Sequence, residues 1–321
     1  MSPTIQLILS SGTRVVTRRD AHGMGGDRLI PKGSVGEIVT SPLDAQHAYQ
    51  VRFNDGVEAM LRRSEFSILK HFKTNEALGR PGDSEAGASD SEDREFETWK
   101  PCIIYRCIVG SQAFGLSGED SDVDRRGIYL PPAEVHWSLY GFPEQLENDA
   151  TQEAYWELQK FLVMALKANP NILECLYTPL VEHADSLAQE LLGERHRFLS
   201  KLIFQTYSGY VMSQFKKLEQ DLRARGEIKW KHAMHLVRLL LSGITMLREG
   251  SLRVRLDEHR DGLLSIKRGE REWADVNQWR LSLHSEFESA LGITSLPDRP
   301  DYAWANQFLI RARRHKAFSG S

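Results

Sequence analysis

Asp122 and Asp124 stand two apart in Ser121-Asp122-Val123-Asp124, and a Gly110-Ser111 step precedes them by ten intervening residues. On a strand, that spacing turns both carboxylates to one face and Val123 to the other. Paired carboxylates repel each other and favour a bound cation. Oxygen-only, like-charged ligands suit Mg2+ or Mn2+. Two such ions, about 3.5–4 Å apart, hold the attacking and the leaving oxygen of a phosphoryl transfer. A strand that ends in Gly-Ser and opens a helix aims free backbone N–H groups outward, where they suit an anion. Gly110 admits close approach of a phosphate, and the Ser111 hydroxyl can donate to one of its oxygens. Taken singly, an Asp-x-Asp is often a solvated turn and a Gly-Ser step means little. The order of the elements around them gives the pattern its weight.

Those elements read directly from the pattern. Ile103–Val109 is an apolar run, followed by a glycine-broken segment, the acids and a second apolar run, Ile128-Tyr129-Leu130. The expectation is strand, turn, short helix, loop, strand. Alternation brings Arg126 to the face of Asp122 and Asp124, where it would neutralise a triphosphate or separate the acids. A structural ion pair is the alternative. Leu158, Phe161, Leu162, Ala165 and Leu166 form a helical stripe, with Lys160 and Lys167 outside it. Asn169-Pro170-Asn171 ends that helix, and Asn169 or Asn171 caps the next one.

Val109-Gly110-Ser111 … Asp122-Val123-Asp124 resembles the signature of the DNA polymerase β-like nucleotidyltransferases. Arg125 stands where that signature usually has an apolar residue. More narrowly, GSQAFGLSGEDSDVDRRGIYLPP together with ELQKFLVMALKANPNILECLYTP is similar to the RlaP-type nucleotidyltransferases linked to RNA repair, over roughly residues 102–250. The resemblance implies a third metal-site acid on a later strand, by position Glu153, with Asp149 and Glu157 as fallbacks. It implies Mg2+ or Mn2+ on Asp122, Asp124 and Glu153. It also places the Asn-Pro corner beside a nucleotide pocket. The expected nucleotide contacts are Gly110, Ser111, Arg126, Lys160, Asn169 and Lys231.

The chain has 321 residues, enough for two or three domains, and is 41% hydrophobic and 26% charged, as globular proteins are. A net charge of −3 argues against whole-surface binding of nucleic acid but leaves room for a local basic groove. Cys102, Cys107 and Cys175 lack metal or redox spacing and are read as buried thiols of a reducing cytoplasm. MSPTIQLILSSGTR does not read as a signal peptide, and no apolar stretch is long enough for a bilayer span.

The expected architecture is α+β. Residues 1–72 read as a small SH3-like β module resembling KOW domains, with the Asn54-Asp55-Gly56 hairpin as its clearest signal. Its arginines, Arg14, Arg18, Arg19, Arg52, Arg62 and Arg63, suit either docking of RNA or protein or a solvated strand face. Residues 73–99 read as a disordered acidic linker. Residues 100–180 are the catalytic core with a mixed sheet, and 181–321 a helical C-terminal bundle. In the bundle, Lys216, Lys217, Arg223, Arg225, Lys229, Lys231 and His232 gather around one turn and suit either a phosphate-facing wall or solvated helix ends. His232 and His235 are read as packing or groove residues. The basic tail Arg311–Lys316 is read first as a helix C-terminus that favours cations.

The function expected is metal-dependent transfer of a nucleoside monophosphate, from ATP or another NTP, to an acceptor hydroxyl, with an RNA 3′ end as the acceptor the resemblance implies. Two alternatives stand: a protein or small-molecule acceptor, and a non-catalytic nucleotide sensor. The partners expected are NTP and RNA, without a membrane.

Overall fold

A computed structural model describes residues 12–24, 28–40, 48–69, 88–118, 121–139, 141–148, 150–226 and 228–318. The chain divides into two compact units, residues 1–91 with 135–143, and residues 92–134 with 144–321.

The N-terminal unit is built on an antiparallel five-stranded sheet. Its strands are β1 (Arg14–Thr17), β4 (Val35–Thr40), β5 (Tyr49–Phe53), β6 (Glu58–Leu61) and β7 (Phe66–Ile68), in the order β6-β5-β4-β1-β7. A two-stranded ribbon, β2 (Ala21–His22) and β3 (Leu29–Ile30), lies outside that sheet. Alternation does the folding: Tyr49, Val51 and Phe53 are buried, while Arg52 between them is exposed. They pack with Val15, Ile38, Ala59, Leu61 and Phe66 as a small separate core. Gly56, with φ of +83°, closes the β5–β6 hairpin that Asp-Gly foretells.

The second unit holds the candidate chemistry. Helix α1 (Ala88–Trp99) leads into β8 (Ile103–Val109), the single turn α2 (Gly110–Ala113) and β9 (Asp124–Tyr129). After α3 (Ala133–Trp137) come β10 (Gln145–Asn148), β11 (Glu153–Glu157), α4 (Leu158–Leu166), α5 (Pro170–Tyr177) and β12 (Val181–Ala184). The sheet order is β10-β11-β9-β8-β12; β9 and β11 are parallel and the other pairs antiparallel, so the sheet is mixed. The helices that follow are α6 (Ser186–Gly193), α7 (Leu202–Arg225), α8 (Trp230–Glu249), α9 (Arg260–Lys267), α10 (Trp273–Ile293) and α11 (Tyr302–Phe318).

Local signals set the ends of these helices. Glu157 caps α4 by accepting from the Gln159 and Lys160 amides, and Asn169 caps α5 with Pro170 at its first position. Gly226 and Gly250, both left-handed, close α7 and α8.

Two boundaries differ from the sequence reading. Residues 73–99 are not a linker throughout: α1 fills 88–99, and Phe96 and Trp99 are buried. Phe96 lies 6.1 Å, centroid to centroid, from Tyr155 of β11, so the helix covers one face of the sheet. The rest of that stretch, 73–87, lies outside the described residues. The core does not end at 180 either. β12 pairs with β8, and a single hydrophobic cluster runs from Ile104 and Tyr105 through α5 to α8 and α11. The stretch expected to be the catalytic core and the helical bundle are therefore one folded unit. The bundle also contains α9 between α8 and α10.

Candidate functional site

The site lies at the N-terminal end of β9. Asp124 opens that strand and pairs with Val109, the last residue of β8, so the Gly-Ser turn and the second acid are neighbours. Gly110 has φ of +70°, a left-handed value that glycine adopts freely. A β-carbon there would stand 2.6 Å from Asp124 Oδ2. Ser111 follows in α2; its carbonyl accepts from the Leu116 amide at 2.9 Å, and among the described residues its hydroxyl bonds to no protein group.

Asp122 precedes β9 in an irregular segment outside the strand and is exposed. Its charge is felt at Asp124. Burial is the largest influence on Asp124 and raises its pKa; Arg126 and Lys231 pull it down, and Asp122 pushes it up. The Asp124 carboxylate thus stands among two cations and a second acid.

Register decides which residues share that face, because partners opposite each other in a sheet point the same way. Arg126 lies opposite Cys107 and Ala154, and all three are on the Asp124 side. Arg126 Nη2 is 3.4 Å from Asp124 Oδ1, and Nη1 donates to the Arg125 carbonyl at 2.7 Å and the Gln152 carbonyl at 2.9 Å. Arg125, Gly127 and Tyr129 point to the other side. Glu153 lies opposite Arg125 and goes with them. Its carboxylate accepts from the Tyr155 hydroxyl, which in turn accepts from Arg106 Nε at 3.0 Å.

The third acid expected at Glu153 is therefore on the wrong face of the sheet for a ligand shared with Asp124. Ala154 and Trp156 are the β11 residues that face the same way as Asp124. Glu157 sits at the far end of β11, buried, capping α4 and paired with Arg313. Asp149 lies outside the described residues. Among the described residues, no three carboxylate, histidine or cysteine side chains are gathered as a metal site.

Two other expected nucleotide contacts are not brought to Asp124. Lys160 Nζ donates to Gln145 Oε1 at 3.2 Å, and Gln145 pairs with Trp156 at the C-terminal end of β11. The Asn169 carboxamide oxygen is occupied by the Asn171 and Ile172 amides. The opposite end of α5 reaches the site's end of the sheet: the Thr178 hydroxyl donates to the Ile108 carbonyl at 2.7 Å. Gly110 and Arg126 stand against Asp124, with Ser111 next in the chain, and the charges of Asp122 and Lys231 act on the Asp124 carboxylate.

Residues distant in sequence complete the surroundings. Lys267 Nζ donates to the Leu116 carbonyl at 2.8 Å and Arg260 Nε to the Gly115 carbonyl at 2.9 Å, while the Arg255 side chain packs on Gly115. The segment that follows the Gly-Ser turn is thus tied to α9 and the loop before it. Burial, and then the nearby Lys231, lower the Lys267 pKa, so two ammonium groups stand near one another beside this segment. Behind it, the Arg238 guanidinium lies 3.6 Å from the centre of the Phe114 ring and forms a buried pair with Glu174 at 2.6 Å. His235 meets Phe114 edge-on; burial, and then Arg238 and Lys231, lower its pKa to about 3. No local sequence signal marks these partners, which lie more than 100 residues from the turn they hold.

The family described as "RlaP: RNA repair pathway DNA polymerase beta family" matches residues 90–311. The chain belongs to that family. The match begins inside α1 and runs into α11, so it covers the sheet, the acids and the helical bundle as one stretch and leaves the N-terminal β unit outside. The chain is also similar to the protein named "Uncharacterized protein YcgL" of Bacillus subtilis (strain 168), with 28% identity over 143 residues. That similarity spans 44% of this chain and 54% of YcgL, about half of the relative's length. Among the described residues, no helix is long and apolar enough to cross a membrane.

Proposed function

We propose that the chain is a metal-dependent nucleotidyltransferase that moves a nucleoside monophosphate from an NTP to an acceptor hydroxyl, with an RNA end as acceptor. The observation that carries this reading is the seating of the Asp124 carboxylate against Gly110, beside Asp122 and within reach of the Lys231 charge. Family membership supports both the reaction and the RNA.

Asp122 and Asp124 are the residues that would hold a divalent ion. A carboxylate pair with an open side suits Mg2+, which completes its shell with substrate phosphates and water. Such an ion supplies charge neutralisation at the phosphates. The chain's own groups do the positioning. The left-handed bend at Gly110 lets phosphate oxygens approach the backbone, and Ser111 donates its hydroxyl to one of them. Lys231 and Lys267 neutralise the outer phosphates. The acceptor oxygen then bonds to the α-phosphorus, the bond to the bridging oxygen breaks, and pyrophosphate leaves. The acceptor proton passes to water or to a neighbouring carboxylate. Rate comes from alignment and from fixed charge where charge develops.

We read the N-terminal unit as an SH3-like module. The strand order β6-β5-β4-β1-β7 and the short 3-10 turn Arg63–Glu65 before β7 support this. Several of its arginines are paired with acids, Arg19 with Glu65, Arg28 with Asp55 and Arg52 with Glu58, so docking by an open basic face is not favoured.

The test is incubation of the full chain with α-labelled NTPs, Mg2+ and RNAs bearing different ends. Label on RNA that is lost in Asp124→Ala supports the proposal. Label on protein or small molecule after nuclease treatment identifies the other acceptor class. Equal labelling by wild type and an Asp122→Ala/Asp124→Ala variant overturns it.

A further inference from the structure

We propose that the Arg126 guanidinium takes the place of a second divalent ion, so that the site works with one ion and a fixed organic cation. The inference rests on the nucleotidyltransferase reading and specifies the charge arrangement of the same site.

Three observations converge on Arg126. Its guanidinium fills the corner where the N-terminal ends of β9 and β11 meet, held by two backbone carbonyls, those of Arg125 and Gln152. Ala154 of β11 lies directly opposite Arg126, so at that register the strand presents no carboxylate on the Asp124 face. The nearest acid of that strand, Glu153, is turned to the opposite face and bound by Tyr155. So the residue that would bring a negative charge is absent from the slot, and a positive charge stands in it, 3.4 Å from Asp124.

The charges then account for a single ion. Arg126 and Lys231 already act on the Asp124 carboxylate before any metal arrives, and the Lys267 ammonium stands near Lys231. A second dication would meet a cation already seated beside its best ligand. A guanidinium is permanently charged and planar, and its fork suits phosphate as well as carboxylate. Its side chain keeps 23% exposure, so Arg126 is not sealed away from substrate. Anchored by main-chain carbonyls, it needs no reorganisation when the triphosphate arrives, which is the condition for efficient electrostatic stabilisation.

The experiment counts ions. The full chain is titrated with Mn2+ in the presence of each α,β-methylene ribonucleoside triphosphate, and bound ion per bound nucleotide is read by electron paramagnetic resonance and calorimetry. One ion per nucleotide is expected, with a twofold rise in the Arg126→Ala/Ala154→Asp double variant. Two ions in the wild type overturn the inference. So does a count that stays at one in a double variant whose melting temperature shows it folded. Arg126→Lys guards against a folding artefact: it keeps the charge and is expected to keep a count of one, and a count of two overturns the proposal. Absence of any nucleotide-dependent ion binding overturns the parent reading as well, and is distinct from a count of two.

Discussion

Gly110 and Asp124 are so close that a methyl group on the first would lie 2.6 Å from a carboxylate oxygen of the second. The turn and the acid are therefore one device, built where the end of β8 meets the start of β9. Gly110→Ala introduces two faults: a left-handed backbone angle costing on the order of 1–3 kcal/mol, and a contact that pushes Asp124 away. We expect nucleotidyl transfer to fall about 100-fold or more. Circular dichroism is expected to retain the wild-type spectrum. Wild-type transfer rates in Gly110→Ala refute the linkage.

Glu153 supplies the contrasting case. Its face and its bond from Tyr155 give it a structural part. Glu153→Gln is expected to lower stability by about 0.5–1.5 kcal/mol, the ordinary worth of one hydrogen bond. Nucleotide-dependent Mn2+ affinity is expected to stay within about threefold, which is under 1 kcal/mol. Urea unfolding and ion titration on the same variant separate the two effects. A loss of ion binding with unchanged stability restores Glu153 to the metal site.

The difference between these residues is also the difference between what local pattern can and cannot reveal. Gly110, Ser111, Asp122 and Asp124 lie within one strand-turn-strand stretch, where alternation and the glycine step fix their mutual placement. Glu153 depends on how β11 registers against β9, and a slip of one residue exchanges the faces. Nothing in Gln152-Glu153-Ala154 fixes that phase, and position alone favoured the only acid. Helix α1 was hidden for another reason: its Ser, Asp and Glu residues read as solvated chain, and only Phe96 and Trp99 betray a buried stripe. Lys267 and Arg260 bond to the carbonyls of Leu116 and Gly115, contacts that no spacing predicts.

His235 gives the fold a pH dependence of known sign. Its folded pKa is lowered to about 3, chiefly by burial, so the neutral form is the one the fold accepts. The stability this provides is fully present above the unfolded value of about 6.5. It is lost as pH falls from there towards 3, because the unfolded chain binds the proton first. We expect wild type to lose more stability than His235→Leu across that window, whatever other groups titrate. Equal slopes for the two proteins in urea unfolding at stepped pH exclude the assignment.

Arg238 joins the helical bundle to α5 and to the segment after the Gly-Ser turn, through Glu174 and the Phe114 ring. Both charges are nearly inaccessible, and among the described residues two guanidinium nitrogens, Nε and Nη1, have no hydrogen-bond partner. Such a pair contributes little net stability, because the burial of its charges offsets their attraction, but removing one partner strands the other. Arg238→Met is therefore expected to cost about 3–5 kcal/mol. Adding Glu174→Gln is expected to return most of that loss, since the stranded carboxylate is then gone. Transfer activity separates packing from positioning: the double variant recovers stability, yet Phe114 still lacks the cation stacked on it. If the pair only holds the fold together, activity returns with stability. If it also sets the turn that carries Gly110 and Ser111, the double variant is stable and slow, with KM for NTP raised. Urea unfolding and steady-state kinetics on the two variants decide between these outcomes.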